Sequence, residues 1–522
     1  MLPATLACSL GALVLLHAAP AAATPGQAVR LGGVEAQGPA SRSITALHHN
    51  PAMLTGLGGT GVHTSLSTGV DQRWIRRANE AGLGNRITVL NPTFEYFVGG
   101  NLSLDPVAIG VGLYTLGNEF HLNSADDLRF HLAPELDVPP LLCDGTTESC
   151  PLNGGATTVR TDLSFALAWN VLSTLRIGAT LHLPRMRMRF AYDNSTELAQ
   201  NTESGAPECS TVEDPNCAER FGFRGISRWL PGTSTRPSGI DLIVTLGAAV
   251  DVTRRVTLGA RYRTRPLLNG GEVTIAGAGL TCSPNDDEDA PASVPRCSVA
   301  PTIDAFVTQR LAREAAIGAA FVLGRSKQWR LDSNFYWIDL CNDVLGEGAG
   351  VRSCASPGLQ RINLINRDPG STLLPETIRY RGYQDVFGLD LFTTYQMRSN
   401  IALTFAGHTS SPAVRREALT AANSNFWRVG ISLGAILRIR HSNFQLIPGY
   451  GADLFPPSTV TNAAFDPDAG QQFLDALSDL NTDVAQTVLD GRARPSNAGR
   501  YSGLVHTFSL GLRWAERGLG VD

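Results

Sequence analysis

The feature that most restricts the fold of this chain is an alternation of apolar residues with small or polar ones, repeated along most of its length. In residues 427–440, every second residue is apolar, and the residues between them are mostly glycine, serine or arginine. The segments that begin at Val107, Leu175 and Leu504 repeat the pattern. Because successive side chains of a β-strand point to opposite faces, a period of two predicts strands with one apolar face.

The composition indicates what these apolar faces contact. Charged residues make up 17% of the 522 residues, below the roughly 25% that is usual in soluble domains. Beyond the N-terminus, no stretch forms the run of about 20 apolar residues that a membrane helix needs. A transmembrane β-barrel accounts for both facts, because it needs an apolar residue only at every second position. The net charge of −4 gives no basic surplus that would favour nucleic acid.

We therefore predict an all-β fold, an antiparallel transmembrane barrel of about fourteen strands. The strands are expected at 60–75, 87–101, 106–118, 159–171, 174–192, 238–252, 255–266, 312–324, 328–340, 379–396, 400–410, 426–439, 442–454 and 501–515. Short and long connections alternate, which is typical of outer-membrane barrels with short periplasmic turns and longer outer loops. In the last long loop, apolar residues at helical spacing predict a helix at 471–489.

The chain divides into three parts. Residues 1–23 are similar to a secretory signal peptide, because an apolar run is followed by the small residues Ala21, Ala22 and Ala23. Residues 24–57 are polar and rich in glycine and show no strand pattern. Since a barrel of fourteen strands is wide enough to need filling, we expect this segment to be a plug. Residues 58–522 then form the barrel and its loops.

Eight cysteines remain after removal of the signal, and they occur as four pairs of close neighbours. The pairs are Cys143/Cys150, Cys209/Cys217, Cys282/Cys297 and Cys341/Cys354. All four fall in long connections that strand parity places on one side of the barrel, predicted to be extracellular. In a secreted chain this spacing favours local disulfides. Metal binding is the alternative, but no pair has CxxC spacing and no histidines accompany them.

Enzyme motifs do not appear in a suitable context. His63/Ser65 and His408/Ser410 each place a histidine and a serine on one strand face, but neither has the setting of a nucleophile elbow. Ordinary strand residues are the favoured interpretation. The adjacent pair His48–His49 could bind a metal, although such pairs are more often structural. We predict a protein without catalytic residues, cofactor or metal.

Three arginines alternate with apolar residues after a proline: Arg185, Arg187 and Arg189. They could bind the carboxylate of a fatty acid through charge-assisted hydrogen bonds. They could also meet lipopolysaccharide phosphates at the outer rim, or pair with carboxylates in the lumen such as Asp241 and Asp251. The last two roles together are favoured over the first. Pro184 would permit a bulge, which would change the face on which the arginines lie.

Several segments resemble the FadL family of outer-membrane long-chain fatty acid transporters. Asn50, Pro51 and Ala52, after a glycine-bearing segment, look like the family's hatch. Residues 92–117, in which an aromatic strand leads into a glycine-rich one, are similar to its second hairpin, and 501–514 to its last strand. The resemblance spans about 32–514. It implies fourteen strands with an N-terminal hatch, whose shape Asn50 to Ala52 would set because Asn-Pro fixes a bend.

The resemblance also implies a function and a location. The chain would take up hydrophobic molecules passively in the bacterial outer membrane, in contact with its lipid and lipopolysaccharide. Long-chain fatty acids are the first candidate, and aromatic hydrocarbons would also suit such a lumen. One alternative is a structural or adhesion barrel that displays disulfide-tied loops, and a general porin is a third. Family members commonly end on an aromatic residue, whereas here eight residues follow Trp514.

Overall fold

The fold is known from a computed structural model of the chain. It describes residues 31, 33–34, 37–79, 82–116, 157–193, 220–226, 241–268, 272–283, 296–324, 328–340, 360–366, 377–379, 384–414, 416, 419, 427–439, 442–460 and 499–516. The predicted signal peptide and the predicted helix at 471–489 lie outside these residues. None of the described helices is long and apolar enough to cross a membrane.

Strands dominate the described part of the chain. They are β1 (Gly59–Asn79), β2 (Gly82–Leu104), β3 (Val107–Thr115), β4 (Thr157–Asn170), β5 (Leu175–Asp193), β6 (Arg220–Ile226), β7 (Ile243–Thr253), β8 (Val256–Arg263), β9 (Glu272–Ser283), β10 (Arg296–Arg310), β11 (Arg313–Leu323), β12 (Trp329–Asp339), β13 (Gln360–Asn366), β14 (Thr377–Arg379), β15 (Val386–Arg398), β16 (Ile401–Ser410), β17 (Arg428–Arg438), β18 (Phe444–Val460) and β19 (Gly499–Ala515).

Fourteen of these strands close a barrel, and every pairing in it is antiparallel. Around the barrel the order is β1, β2, β3, β4, β5, β7, β8, β11, β12, β15, β16, β17, β18 and β19. The ring is closed by β19, which pairs with β1 from Gly61–Ala515 to Arg77–Gly499. Each strand overlaps one predicted span, so the prediction of a fourteen-stranded antiparallel barrel is confirmed.

The connections divide the barrel into two ends. Short turns join β2 to β3, β4 to β5, β7 to β8, β11 to β12, β15 to β16 and β17 to β18. They lie at one end, called the turn rim below. Most of the long connections meet at the other end, the loop rim. This is the arrangement that the alternating connection lengths predict.

The five other strands form an extension at the loop rim that begins at β5 and runs in the order β6, β9, β10, β13 and β14. Prediction and structure differ here, because the sequence predicts loops in the connections that contain these strands. The extension is joined to the barrel where β6 pairs with residues 187–193 of β5. Strands outside the membrane need no apolar row facing lipid, so their sequences need not alternate.

None of the four predicted disulfides is confirmed. Three of the pairs lie wholly outside the described residues: Cys143 with Cys150, Cys209 with Cys217, and Cys341 with Cys354. Their connectivity therefore stays a prediction. The fourth pair lies in the extension, where the register sets Cys282 of β9 directly opposite Cys297 of β10. That register is compatible with a local bond between them, which also stays a prediction.

The two faces of the wall differ in the way that a membrane barrel requires. On β1, Val62 and Val70 face outward and are 47% and 45% exposed, whereas His63 and Ser65 face inward and are buried. Exposed apolar residues continue around the barrel. Exposed aromatic residues occur near both rims: Trp169, Trp329 and Phe444 at the turn rim, Phe387 and Trp427 at the loop rim. An apolar band between two aromatic girdles is the lipid-facing surface of a transmembrane barrel.

Residues 37–57, called the lumen segment below, lie within the ring of strands. The segment contains helix α1 (Ala46–His49) and a 3-10 helix (Pro51–Gly56). Its apolar side chains, among them Leu47 and Met53, are fully buried. They form one cluster with inward residues of β2 and β3, including Phe97. The core of the protein is therefore the contact between this segment and the inner wall.

Candidate functional site in the barrel lumen

The bend at Asn50 anchors the lumen segment to the wall. The Asn50 side chain caps the 3-10 helix, since its Oδ1 accepts a hydrogen bond from Ala52 N at 3.1 Å. Its Nδ2 donates to the carbonyl of Ala248 on β7 at 2.9 Å and to the carbonyl of Pro39 at 2.5 Å. Asn50 is fully buried. One amide therefore holds the bend, the wall and the preceding part of the segment together, with Pro51 at the first helical position.

Glycines on the inner wall leave room for this contact. The glycine strip consists of Gly110 of β3, Gly178 of β5, Gly247 of β7 and Gly259 of β8. A Cβ atom on Gly178 would lie 2.7 Å from Ala52 N, and one on Gly110 would lie 2.7 Å from Leu47 Cδ2. A Cβ atom on Gly247 would overlap Asn50 Oδ1, and one on Gly259 would overlap the carbonyl of Pro39. The backbone of the lumen segment therefore approaches the wall only because these positions lack side chains.

A buried ion network lies against helix α1. Asp162 of β4 accepts hydrogen bonds from Arg160 at 2.8 and 2.9 Å and from Arg263 of β8 at 2.6 Å. Arg263 also lies 3.1 Å from His48 Nδ1, and Arg261 donates to the carbonyl of His48 at 3.1 Å. The two arginines thus connect helix α1 to the wall. Their charges are balanced by Asp162 and by Glu314, 2.9 Å from Arg261.

A chain of hydrogen bonds continues across four strands beneath the same helix. Tyr114 Oη and Ser164 Oγ lie 2.9 and 2.7 Å from His182 Nδ1. His182 Nε2 lies 2.7 Å from the hydroxyl of Thr245. Thr180 donates to the carbonyl of Leu47 at 2.9 Å. These polar groups are fully buried and partnered, so the wall under the segment is rigid rather than an open cavity.

The first half of the lumen segment crosses to the opposite wall. Ser41 Oγ donates to Asp332 of β12 at 3.0 Å. Arg42 lies 3.7 Å from Asp251 of β7, which also pairs with Arg176. Leu47 of the same segment contacts Gly110 of β3, which is six positions from β12 in the ring of fourteen strands, so the segment spans the lumen. The predicted hatch residues Asn50, Pro51 and Ala52 therefore contact the inner wall. Their role as a hatch stays a prediction.

The arginines proposed as carboxylate ligands lie elsewhere. Arg185 and Arg187 are exposed and share the outward face of β5 with Leu181. The pairing of β4 with β5 continues through Pro184 without a register shift, so the proline introduces no bulge. Contact of Arg185 and Arg187 with a ligand in the lumen is therefore not favoured. Asp251, which the sequence suggests as a lumen partner for these arginines, pairs with Arg176 instead. Lipopolysaccharide phosphate remains the proposal for this pair. The Arg189 side chain lies outside the described residues.

The two histidine–serine pairs face the lumen, but each histidine has other neighbours. His63 packs edge-on against Phe97, with ring centres 5.6 Å apart. His408 Nε2 lies 2.7 Å from Asp453 Oδ1, and Arg428 pairs with the same carboxylate. Neither geometry is that of a serine nucleophile with its base. The interpretation as ordinary strand residues is therefore favoured. In the described part of the chain, no group of three or more acidic, histidine or cysteine side chains could hold a metal ion.

The two histidines of helix α1 make docking of the segment sensitive to pH. Burial lowers the pKa of His48 and of His49 well below the usual value, and the charges of Arg263 and Arg261 lower both further. His182 and Tyr114 also face His48. A released segment binds more protons than a docked one at acid pH. The free energy of docking is therefore most favourable above about pH 6.5 and becomes less favourable as the pH falls below it.

We expect backbone amides in residues 46–57 to lose protection from hydrogen exchange between neutral pH and about pH 5. For each histidine that takes up a proton on release, the protection factor should fall by up to about tenfold per pH unit. Hydrogen exchange by mass spectrometry, corrected for intrinsic rates, measures this. The variant His48→Gln/His49→Gln should lose the pH dependence. His506→Gln is the matched control, since His506 bonds Tyr450 at 2.7 Å on β19, away from the segment. Equal pH dependence in all three proteins would contradict the prediction.

The barrel as a whole is similar to proteins of known structure. No family model matches the sequence, and no curated protein matches it. Among solved structures, a Pseudomonas aeruginosa FadL homologue is similar with a TM-score of 0.63 at 10% identity, covering 96% of this chain and 100% of that one. The chain has the FadL-type barrel fold. The Pseudomonas putida toluene transporter TodX matches with a TM-score of 0.60 at 11% identity, over 94% of this chain and 99% of that one.

A third structure extends the likeness. The Ralstonia pickettii toluene transporter TbuX has a TM-score of 0.52 at 11% identity, with 94% of this chain and 98% of that one covered. Near-complete coverage of both chains confirms the predicted FadL-type barrel at the level of fold. The sequence signals for it were the alternation and the 50–52 element. The glycine strip and the ion network were not predicted as a site.

Proposed function

We propose that this chain is a channel of the bacterial outer membrane for passive uptake of small hydrophobic molecules. The observation that carries the proposal is the closed, lipid-facing barrel whose lumen is crossed by residues 37–57, in a fold shared over its whole length with hydrophobic-compound transporters. A display or adhesion barrel needs no segment held so closely across its interior. A general porin needs an open lumen, which such a segment would obstruct.

Long-chain fatty acids are the substrate that we propose first, on the basis of the family resemblance. Burial of an acyl tail contributes about 0.8 kcal/mol per CH₂, so an apolar site near the loop rim would select long chains. Two of the similar structures are toluene transporters, which supports monoaromatic hydrocarbons as the second candidate. The alternative of a structural or adhesion barrel predicts no transport of either.

We expect a strain that lacks its own transporters of this type to accumulate radiolabelled oleate faster when it produces the protein than with empty vector. Parallel assays use radiolabelled toluene. A gain with toluene alone would contradict the fatty-acid proposal. No gain with either solute, in cells shown to contain the folded barrel, would contradict transport and leave the structural alternative.

A variant that ties the lumen segment to the wall tests whether uptake requires this segment to move. Ser41 and Asp332 are in hydrogen-bond contact, so in the variant Ser41→Cys/Asp332→Cys a short bis-methanethiosulfonate cross-linker should tie the lumen segment to β12 through reducible bonds. We expect uptake by the tied protein to fall and to recover after reduction. Ser41→Cys alone is the matched control, because any change in its uptake after reduction must come from the native cysteines and not from the tie. Unchanged uptake by the tied protein would mean that the route does not require this part of the segment to move.

A further inference from the structure

The outer surface of the barrel carries arginines at one level near the loop rim. Arg76 of β1 is directly opposite Arg500 of β19 on one side and Arg86 of β2 on the other. Arg500 is in turn opposite Thr459 of β18, whose carbonyl accepts a hydrogen bond from Arg416. Arg76, Arg416 and Arg500 are called the arginine row, and the register places Arg86 at the same level.

The row faces away from the lumen. On β1, inward residues alternate with outward ones up to Arg73, which is buried, and Arg76 continues the outward face and is exposed. Arg500 and Arg416 are also exposed. The positions across β18, β19, β1 and β2 at this level are Thr459, Arg500, Arg76 and Arg86, and none of them is acidic.

The height of the row matches the headgroup region of a membrane. At the turn rim, outward Trp514 is in register with Val62, and outward Trp74 follows twelve positions further along β1. Twelve residues of a strand tilted by about 40° rise about 30 Å, which is the thickness of the hydrocarbon core. Arg76 lies two residues beyond Trp74, about 5 Å higher.

Like charges directly opposite on neighbouring strands destabilise a sheet. An anion bound between two such arginines would offset their repulsion by attraction to both. A guanidinium matches the geometry of phosphate and forms two hydrogen bonds to it. At the headgroup level of the outer leaflet, the available anions are the phosphates of lipopolysaccharide. We propose that the arginine row is a binding site for the phosphate groups of this glycolipid. The inference rests on the proposed outer-membrane location but not on transport, so the two can fail separately.

The test uses the full chain purified in detergent and titrated with bisphosphorylated lipid A, with binding measured by native mass spectrometry. The test variant is Arg76→Gln/Arg500→Gln. The matched control is Arg254→Gln/Arg255→Gln, which removes two exposed arginines from the turn rim. We expect about tenfold weaker binding for each arginine lost from the row, and wild-type binding by the control. Without lipid, the test variant should be at least as heat-stable as wild type, because like charges are removed.

Two further titrations identify the ligand. Dephosphorylated lipid A should bind wild type and test variant equally and weakly. Inorganic phosphate should not compete at the concentration at which lipid A saturates the protein. Equal affinity of wild type and test variant for bisphosphorylated lipid A would overturn the proposal. An equal loss in the turn-rim control would also overturn it, since the effect would then be one of net charge. Full competition by inorganic phosphate would overturn the glycolipid as the ligand.

Discussion

Replacing Gly247 by alanine should release the lumen segment and let ions through a barrel that stays folded. The added Cβ would overlap Asn50 Oδ1, the atom that caps the 3-10 helix. Neither side can yield easily, because Gly247 is part of the β5–β7–β8 ladder and Asn50 is held by two carbonyls. Overpacking of this kind costs about 1–3 kcal/mol, so the undocked fraction should rise by about 5-fold to 150-fold.

Single-channel conductance in planar bilayers measures that change. Gly178→Ala should act in the same direction, because its Cβ would lie 2.7 Å from Ala52 N. Gly451→Ala is the matched control. It lies on the inner face of β18, and its Cβ would have nothing closer than 3.4 Å, from the Ser432 Cβ. Conductance that rises equally in Gly451→Ala, or stays at the wild-type level in Gly247→Ala, would mean that the glycine strip does not hold the segment.

The sequence predicted the barrel because the bilayer imposes the pattern strand by strand. Each membrane-crossing strand needs an apolar outer row, so alternation such as that of Val429, Ile431 and Leu433 marks it without knowledge of its neighbours. The five strands of the extension carry no such requirement. They depend on pairing to β5 above the barrel, which the sequence does not display, and they were therefore missed.

The site was predictable only in part, for a related reason. Alternation identifies the inner row, so Gly178 and Gly247 were visible as small inward residues. It does not indicate what crosses the lumen, and the contact of Gly247 with Asn50 joins residues that are far apart in the sequence. Arg185 shows the same limit. Its face depended on whether Pro184 shifted the register, and only the ladder between β4 and β5 decided that it does not.

Replacing Asp162 by asparagine should destabilise the barrel more than any surface change. Asp162 is fully buried and is the shared partner of Arg160 and Arg263. A neutral residue leaves two buried arginines with one countercharge fewer. Removing one partner of a buried ion pair lowers the free energy of unfolding by about 3–5 kcal/mol. Removing one partner of an exposed ion pair lowers it by only about 0–1 kcal/mol. Asp105→Asn at the turn rim, where Asp105 accepts an exposed hydrogen bond from Asn170, is the matched control.

The thermal unfolding midpoint of the detergent-solubilised barrel, followed by its heat-dependent shift in gel migration, measures the difference. The double variant Asp162→Asn/Arg263→Met separates charge from packing. If the loss comes from an unpaired buried charge, removal of Arg263 should restore part of the stability that Asp162→Asn removes, and the two changes should not add. Additive losses would assign the effect to packing instead. Arg263 also contacts His48, so the double variant should stay more protease-sensitive at the lumen segment even where the barrel regains its midpoint.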